Sequence, residues 1–305
     1  MSDTNPSGRG DLVLTERRLR RRLTTWRLAF LVLLVVVAGY RFHAGHVEGG
    51  PHLDALTVDG VITDEQKRLD ALDRAAKDPD VRGLILRVDS PGGSVAGGEN
   101  LHDAIARFAK VKPVVAVMGG TAASAAYMIS VPARRIFASN ATLTGSIGVI
   151  LESPDVSGLL GKLGVAVDEL VSGPLKGQPS ITSPLSPQGR QVLQAVVMDL
   201  YDQFVGIVAS GRHMDPAKVR GLADGRVYTG HQALPLGLID QIGTESDARD
   251  WLAANAGIAR DTPVRPLDWQ GPPKRFQMLT GLVKTFAPQG LTLDGPLALW
   301  QPRSQ

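Results

Sequence analysis

Two stretches of the sequence put hydroxyls and small residues where an apolar run passes into a helical pattern. In Asp89-Ser90-Pro91-Gly92-Gly93-Ser94-Val95 the glycines permit close approach of a substrate carbonyl. A strand-to-helix turn there aims backbone N–H groups outward, which suits an oxyanion hole, although Pro-Gly-Gly is also ordinary turn chemistry. In Met118-Gly119-Gly120-Thr121-Ala122-Ala123-Ser124-Ala125-Ala126-Tyr127, Ser124 opens a helical pattern among alanines. Helix-end dipoles favour an alkoxide or tetrahedral oxyanion at such a place. Standing alone, the same serine reads first as a helix N-cap.

A nucleophilic serine needs a base. The six histidines are His43, His46, His52, His102, His213 and His231, and they form no evident Ser/His/Asp order with Ser124. The other base that serves serine is a neutral lysine. With a reference pKa near 10.4, only about 0.04% of a lysine is neutral at pH 7, so a base lysine must sit in a dry pocket that lowers its pKa. Downstream of Ser124 the candidates are Lys162, Lys176, Lys218, Lys274 and Lys284. Lys162 and Lys218 lie in polar helical surroundings and Lys274 and Lys284 fall in a Pro/Gly-rich tail. Lys176 lies in a Gly/Pro-bounded loop, Val171-Ser172-Gly173-Pro174-Leu175-Lys176-Gly177, after an apolar stretch. Most lysines are solvated surface charges, so Lys176 gains weight only in combination with the other segments.

The elements that must position these residues alternate. Leu56 to Val58 reads as a strand, and Thr63-Asp64-Glu65-Gln66 as a capping box opening a helix with Leu69, Leu72 and Ala75 on one face. Strands follow at Val81 to Val88, Val114 to Met118 and Ile136 to Ala138, with helices over Gly98 to Ala109 and Ala125 to Ser130. Repeated β-α-β units imply a largely parallel, buried sheet. Ser186-Pro187 reads as an N-cap with proline at the first helical position, opening a long helix to Gly211.

Composition bounds the remainder. The 305 residues are 43% hydrophobic with no cysteine, which suits a globular core and excludes disulfides, thiolate metal sites and a cysteine nucleophile. The net charge of +3 is uneven: the first 50 residues hold eight Arg against four acidic residues, leaving 25 basic and 26 acidic in the rest. The body has no basic stripe interleaved with aromatics, so nucleic acid is not an expected partner. Six of the arginines (Arg17, Arg18, Arg20, Arg21, Arg22, Arg27) precede an apolar run from Leu28 to Tyr40. The positive-inside rule then keeps the N-terminus cytoplasmic and exports the body. The expected organisation is a basic arm (1–25), a membrane anchor or signal peptide (26–41), a linker (42–53), one α/β domain (54–255) and a Pro/Gly-rich tail (256–305).

Taken together, VDSPGGSV, GGTAASAAYMIS, TLTGSIGVILES, LVSGPLKG and ADGRVYTGHQALPLGLIDQIG resemble the signal peptide peptidase A family, membrane-anchored serine proteases with a Ser/Lys dyad (peptidase family S49). The resemblance covers over half the chain in order. It implies a Clp-protease/crotonase-like spiral of β-α-β units behind an N-terminal membrane-anchor helix. It also implies Ser124 as nucleophile, Lys176 as general base, Ser146 orienting the lysine amine, and the Gly93 and Ala125 N–H groups as oxyanion hole. No metal or cofactor is implied. The implied partners are signal peptides and other small hydrophobic peptides, membrane lipid, and copies of the chain in a ring that completes the dyad across protomers. The implied location is the bacterial inner membrane, with the protease domain extracytoplasmic. Relatives usually carry two glycines where this chain has Ala125-Ala126, so two methyls bear on the pocket. The alternatives are an inert membrane ring scaffold, a Clp-like peptidase, whose histidine about 25 residues after the serine has no counterpart over residues 140–160, and a crotonase-type enzyme, whose CoA an exported body would not meet.

Overall fold

The computed structural model describes residues 26–36, 50–267 and 269, in two compact units divided at Gly50. In the first, α1 (Trp26–Val36) is an exposed apolar helix of 11 residues, about 16 Å at 1.5 Å per residue. The rest of the expected anchor, 37–41, the basic arm 1–25 and most of the expected tail lie outside the described residues.

The second unit is built on an eight-stranded sheet. Its main path runs β6 (Val227–Thr229), β5 (Leu143–Gly145), β3 (Val114–Ala123), β2 (Val81–Gly93), β1 (His52–Ile62), β8 (Val264–Pro266). Off this path β4 (Arg135–Ala138) pairs with the first half of β3 and with β7 (Gln241–Ile242). All pairings are parallel except β5 with β6. The second half of β3 leaves β4 and takes β5 as neighbour, so one long strand carries two successive partners on the same edge.

The strands are continuous apolar runs because both faces are covered. One face carries Leu84, Leu86, Val114, Ala116, Ile136 and Ala138 into the main core, against α2 (Gln66–Lys77), α3 (Val95–Val111) and α4 (Ala125–Ser130). The alternate residues Ile85, Val115 and Phe137 form a smaller core with Ala248 and Leu252 of α9 (Glu245–Ala256). On α3, Leu101, Ala104, Ile105 and Phe108 keep the spacing of a single buried face, and Ser94 caps the helix by accepting the Gly97 N–H at 3.2 Å.

Three features depart from the sequence expectations, and a fourth element forms as expected but is only partly buried. The capping box at Thr63 does not form: β1 runs on to Ile62, the Thr63 hydroxyl donates to the Glu65 carboxylate, and the helix starts at Gln66 with Glu65 as N-cap. The sheet begins inside the expected linker, because His52 and Asp54 are buried beside each other in β1 with Nε2 to Oδ1 at 3.4 Å. It also extends into the expected tail, where Asp54 registers with Arg265 of β8. Burial pushes the Asp54 carboxyl above its usual range. Finally, α6 (Pro187–Gly211) forms with Ser186 as N-cap and Pro187 at its start, as read. Only its C-terminal half enters the core, through Phe204, Val205, Val208 and Ala209, while Val192, Val196 and Met198 stay exposed. Among the described residues α6 is the helix long and apolar enough to cross a membrane, a test that its partly buried length meets by composition alone.

Candidate active site

β3 ends at Ala123, and the chain turns at Ser124 into α4. Ser124 has φ 57° and ψ −124°, a conformation rare for a residue with a Cβ. Residues held this way persist where the surroundings over-determine them, and here they do. The Ser124 N–H donates to the Gly145 carbonyl at 2.8 Å, and its carbonyl accepts the Met128 N–H at 3.0 Å. Its hydroxyl makes no hydrogen bond among the described residues, and the residue is half-buried. Ala125 is the first residue of α4, so its N–H has no partner within the helix.

The SPGG segment lies directly against this turn. Gly92 has φ 113°, and a methyl on it would sit 2.9 Å from the Ser124 Cβ and 3.2 Å from the Ala125 nitrogen. A methyl on Gly93 would reach 2.0 Å from the Ile62 carbonyl of β1, so glycine is obligatory there. The buried Ser90 hydroxyl shapes the loop by accepting the Gly92 N–H at 3.1 Å. Asp89 ties the loop to β3 by accepting the Thr121 N–H at 3.0 Å.

Ser146 follows Gly145 at the end of β5. Register pairs Ala123 with Gly145, which brings Ser124 and Ser146, 22 residues apart in sequence, to neighbouring strand ends. Gly145 (φ 80°) and Ser146 (φ 49°) turn the chain off the strand line, and the Ser146 N–H donates to the Arg226 carbonyl at 2.9 Å. The Gly145 position excludes a side chain, since a methyl would come within 2.7 Å of the Tyr228 ring. Two residues beyond Ser146, Gly148 and Val149 open a cavity of about 390 Å³ lined also by Val197, Met198, Tyr201 and Gly225.

The structure thus gathers Gly93, Ser124, Ala125 and Ser146. It does not gather Lys176. That residue is exposed, its backbone N–H donates to the Gly173 carbonyl at 3.0 Å, and its amine has no hydrogen bond or ion pair among the described residues. The dry pocket expected around it does not exist within one chain, because no residue from Gly148 to Gln188 is buried. The Ala125 methyl, by contrast, is placed away from the surface: Ala125 is 4% exposed and faces Gly98 of α3, where an added methyl would meet it at 2.8 Å. Two buried hydroxyls escaped the sequence reading. Thr142 donates to the Gly119 carbonyl at 2.7 Å and Thr144 to the Ala122 carbonyl at 2.8 Å. Their signal in sequence is the alternation Thr142-x-Thr144 just before Gly145-Ser146.

With this geometry in hand, the profile of peptidase family S49 matches residues 106–259, half of the chain, from α3 through the serine turn to α9. The chain belongs to peptidase family S49. The Clp protease profile matches residues 59–143, and the sheet with its strand-end serine is a Clp-protease-like fold. Among curated proteins, a Synechocystis protein named as a protease is 43% identical over 178 residues, 58% of this chain and 64% of its own length. An Enterococcus faecium protein named as the signal peptide peptidase SppA is 41% identical over 223 residues, 68% of this chain and 65% of its own. Protease 4 of Salmonella typhi is 37% identical over 230 residues, 74% of this chain and 37% of its own. The S49 chain therefore spans just under two thirds of the first two of these relatives and little more than a third of the last.

Proposed function

We propose that this S49 chain is a membrane-associated serine peptidase that cleaves hydrophobic peptides such as released signal peptides, with Ser124 and Lys176 as its dyad. The observation that carries the reading is the Ser124 turn itself. A left-handed serine with an unbonded hydroxyl stands at the mouth of α4, with Gly92 and Gly93 on one side and Ser146 on the other. In the reaction, neutral Lys176 takes the Ser124 Oγ proton as Oγ bonds to the scissile carbonyl carbon. The Gly93 and Ala125 N–H groups hold the resulting oxyanion, and Ser146 orients the amine. The C–N bond then breaks, the lysine proton passes to the leaving amine, and a water deprotonated by Lys176 releases the acyl group. No metal or cofactor takes part in these steps.

A lysine acts as a base in its neutral form, which a dry site favours, so the proposed role requires that something exclude water from the exposed arm of Lys176. A second copy of the chain covering the exposed arm would do so, in agreement with a ring assembly. The cavity two residues beyond Ser146, where Val149, Val197, Met198 and Tyr201 stand beside Gln194 and Asp224, offers room for a substrate side chain. The basic, then apolar N-terminal segment supports an inner-membrane location with α1 in the anchor and the protease domain outside the cytoplasm.

The test is hydrolysis of a hydrophobic signal-peptide mixture by the detergent-solubilised full chain and by Ser124→Ala and Lys176→Ala. Loss of cleavage in both variants with assembly retained is expected. Equal cleavage by all three, or none by the unmodified chain across detergents and concentrations, would overturn the reading.

A further inference from the structure

Two serines proposed to meet one lysine amine must keep a fixed separation, and they sit at the ends of different strands. Three bonds tie those strands together where it counts. The Ser124 N–H reaches across to the Gly145 carbonyl at 2.8 Å. In the opposite direction, the Thr144 hydroxyl reaches back to the Ala122 carbonyl at 2.8 Å, two residues before Ser124 and from two residues before Ser146. Two residues further from the site, just before β5, the Thr142 hydroxyl donates to the Gly119 carbonyl at 2.7 Å and in turn accepts the Ser139 N–H at 3.0 Å. Thr142 and Thr144 are both fully buried, at 0% exposure, so water cannot substitute for either bond.

The need for such a bracket follows from the backbone. β5 is three residues long, and its last residue Gly145 and the following Ser146 both have positive φ, so the regular ladder stops where the site begins. On the facing strand Ser124 has positive φ as well. Of the register pairs leading to the site, Ala122–Thr144 is the last in which neither residue has a positive φ; the next, Ala123–Gly145, already includes the bent Gly145.

We infer that Thr144 is a positioning residue of the proposed reaction, its hydroxyl locking the register of the nucleophile strand against the strand that delivers Ser146. The inference rests on the reading of Ser124 as nucleophile. Valine keeps the shape of threonine but removes the donor to the Ala122 carbonyl, whereas serine keeps the donor and removes only a methyl.

The experiment compares full-length unmodified chain, Thr144→Val, Thr144→Ser and Ser124→Ala, all assembled in detergent. A fluorophosphonate counts reactive serines, and a hydrophobic peptide substrate reads kcat per counted serine and KM. The expected result is an undiminished final count in Thr144→Val, kcat per counted site and the phosphonylation rate both lowered about tenfold, KM within twofold, and recovery in Thr144→Ser. A structural role alone would lower the count and leave kcat per counted site unchanged. That outcome overturns the inference, as does a serine variant as slow as the valine variant. If Thr144→Val does not assemble, Thr144→Ala against Thr144→Ser gives the same comparison. If Ser124→Ala is labelled like the unmodified chain, the nucleophile assignment fails and the inference falls with it; labelling lost in Ser124→Ala with Thr144→Val at full rate sinks the inference alone.

Discussion

The two halves of the proposed dyad are built in opposite ways. Ser124 stands at the end of a central strand whose neighbours on both edges are hydrogen-bonded to it, with fully buried hydroxyls of Ser90, Thr142 and Thr144 bracing the surrounding loops. Lys176 rides on an arm, Gly148 to Gln188, in which no residue is buried and the only helix, α5 (Ser157–Lys162), has no buried side chain. That arm nonetheless exposes Ile150, Leu159, Leu163, Leu170 and Ile181. The turn that holds the proposed nucleophile is complete within one chain, while the dry surroundings that the proposed base requires are not found along the arm. Placing a serine needs only backbone and glycine, but shifting a lysine by about three pKa units takes roughly 4 kcal/mol of dehydration that an exposed loop does not offer.

The largest effect should come from removing either reacting group, and the two removals should differ in what else they change. Lys176→Ala and Ser124→Ala should each lower kcat by roughly 10³- to 10⁶-fold. Because the exposed Lys176 amine makes no hydrogen bond or ion pair among the described residues, its loss should leave the melting temperature of the folded domain where it was. Calorimetry beside the peptidase assay checks this, and a large drop in melting temperature for Lys176→Ala would show that the arm is part of the fold after all.

Next in size is a group behind the nucleophile. Arg212, at the end of α6, donates to both Asp240 oxygens, at 3.0 and 2.6 Å, and to the Gly237 carbonyl at 3.0 Å. Asp240 also accepts the Ile136 N–H of β4 at 2.8 Å. Beside this pair the buried Tyr127 hydroxyl of α4 donates to the Leu238 carbonyl at 2.9 Å, and burial pushes its pKa above the ordinary phenol value. Asp240→Ala would strand a buried guanidinium, at a cost of about 3 kcal/mol in urea unfolding. A loss near zero would mean the serine half is less rigidly supported than its hydrogen bonds suggest.

A smaller effect tests the Ala125 departure. Its methyl packs on Gly98, so Gly98→Ala should overfill the α3–α4 contact by about 1–3 kcal/mol. Adding Ala125→Gly should recover most of that loss. Strict additivity in the double-mutant cycle would show that the two positions do not compensate.

Much of this contrast was legible in the sequence, and the residues show why part was not. The β-α-β order and the bounds of α4 followed from apolar runs and a small-residue helix start, which are local signals. The meeting of Ser124 with Ser146 depends on parallel register, and parallel strands are joined by long crossovers that leave no spacing to read. β8 was hidden because Pro263 and Pro266 punctuate it like a tail, and the N-terminal part of β1 because a histidine and an acid, His52 and Asp54, do not look like buried strand until Arg265 is beside them. Exposure of the Lys176 arm was invisible for another reason: an apolar residue has the same letter whether its own chain or another one covers it. The signal peptide peptidase resemblance and the S49 match agree on family and fold, and the roles of the individual residues stand on the proposed experiments.

The smallest expected effect on stability is the sharpest probe of the comparison. Leu170 is 94% exposed, so Leu170→Ser should change the unfolding free energy of the dilute chain by no more than about 0.5 kcal/mol. If another copy supplies the water-excluding wall for Lys176, the same substitution should shift the concentration dependence of activity, so that the variant needs more protein to reach the same rate per site. Activity per Ser124 measured over a hundredfold dilution series separates the cases. A rate per site independent of concentration, and unaltered by Leu170→Ser, would mean that the arm folds down on its own chain when substrate arrives. In that event dehydration of the lysine would be an internal closure driven by substrate binding, and the exposed apolar residues of the arm would be its contact surface with the peptide.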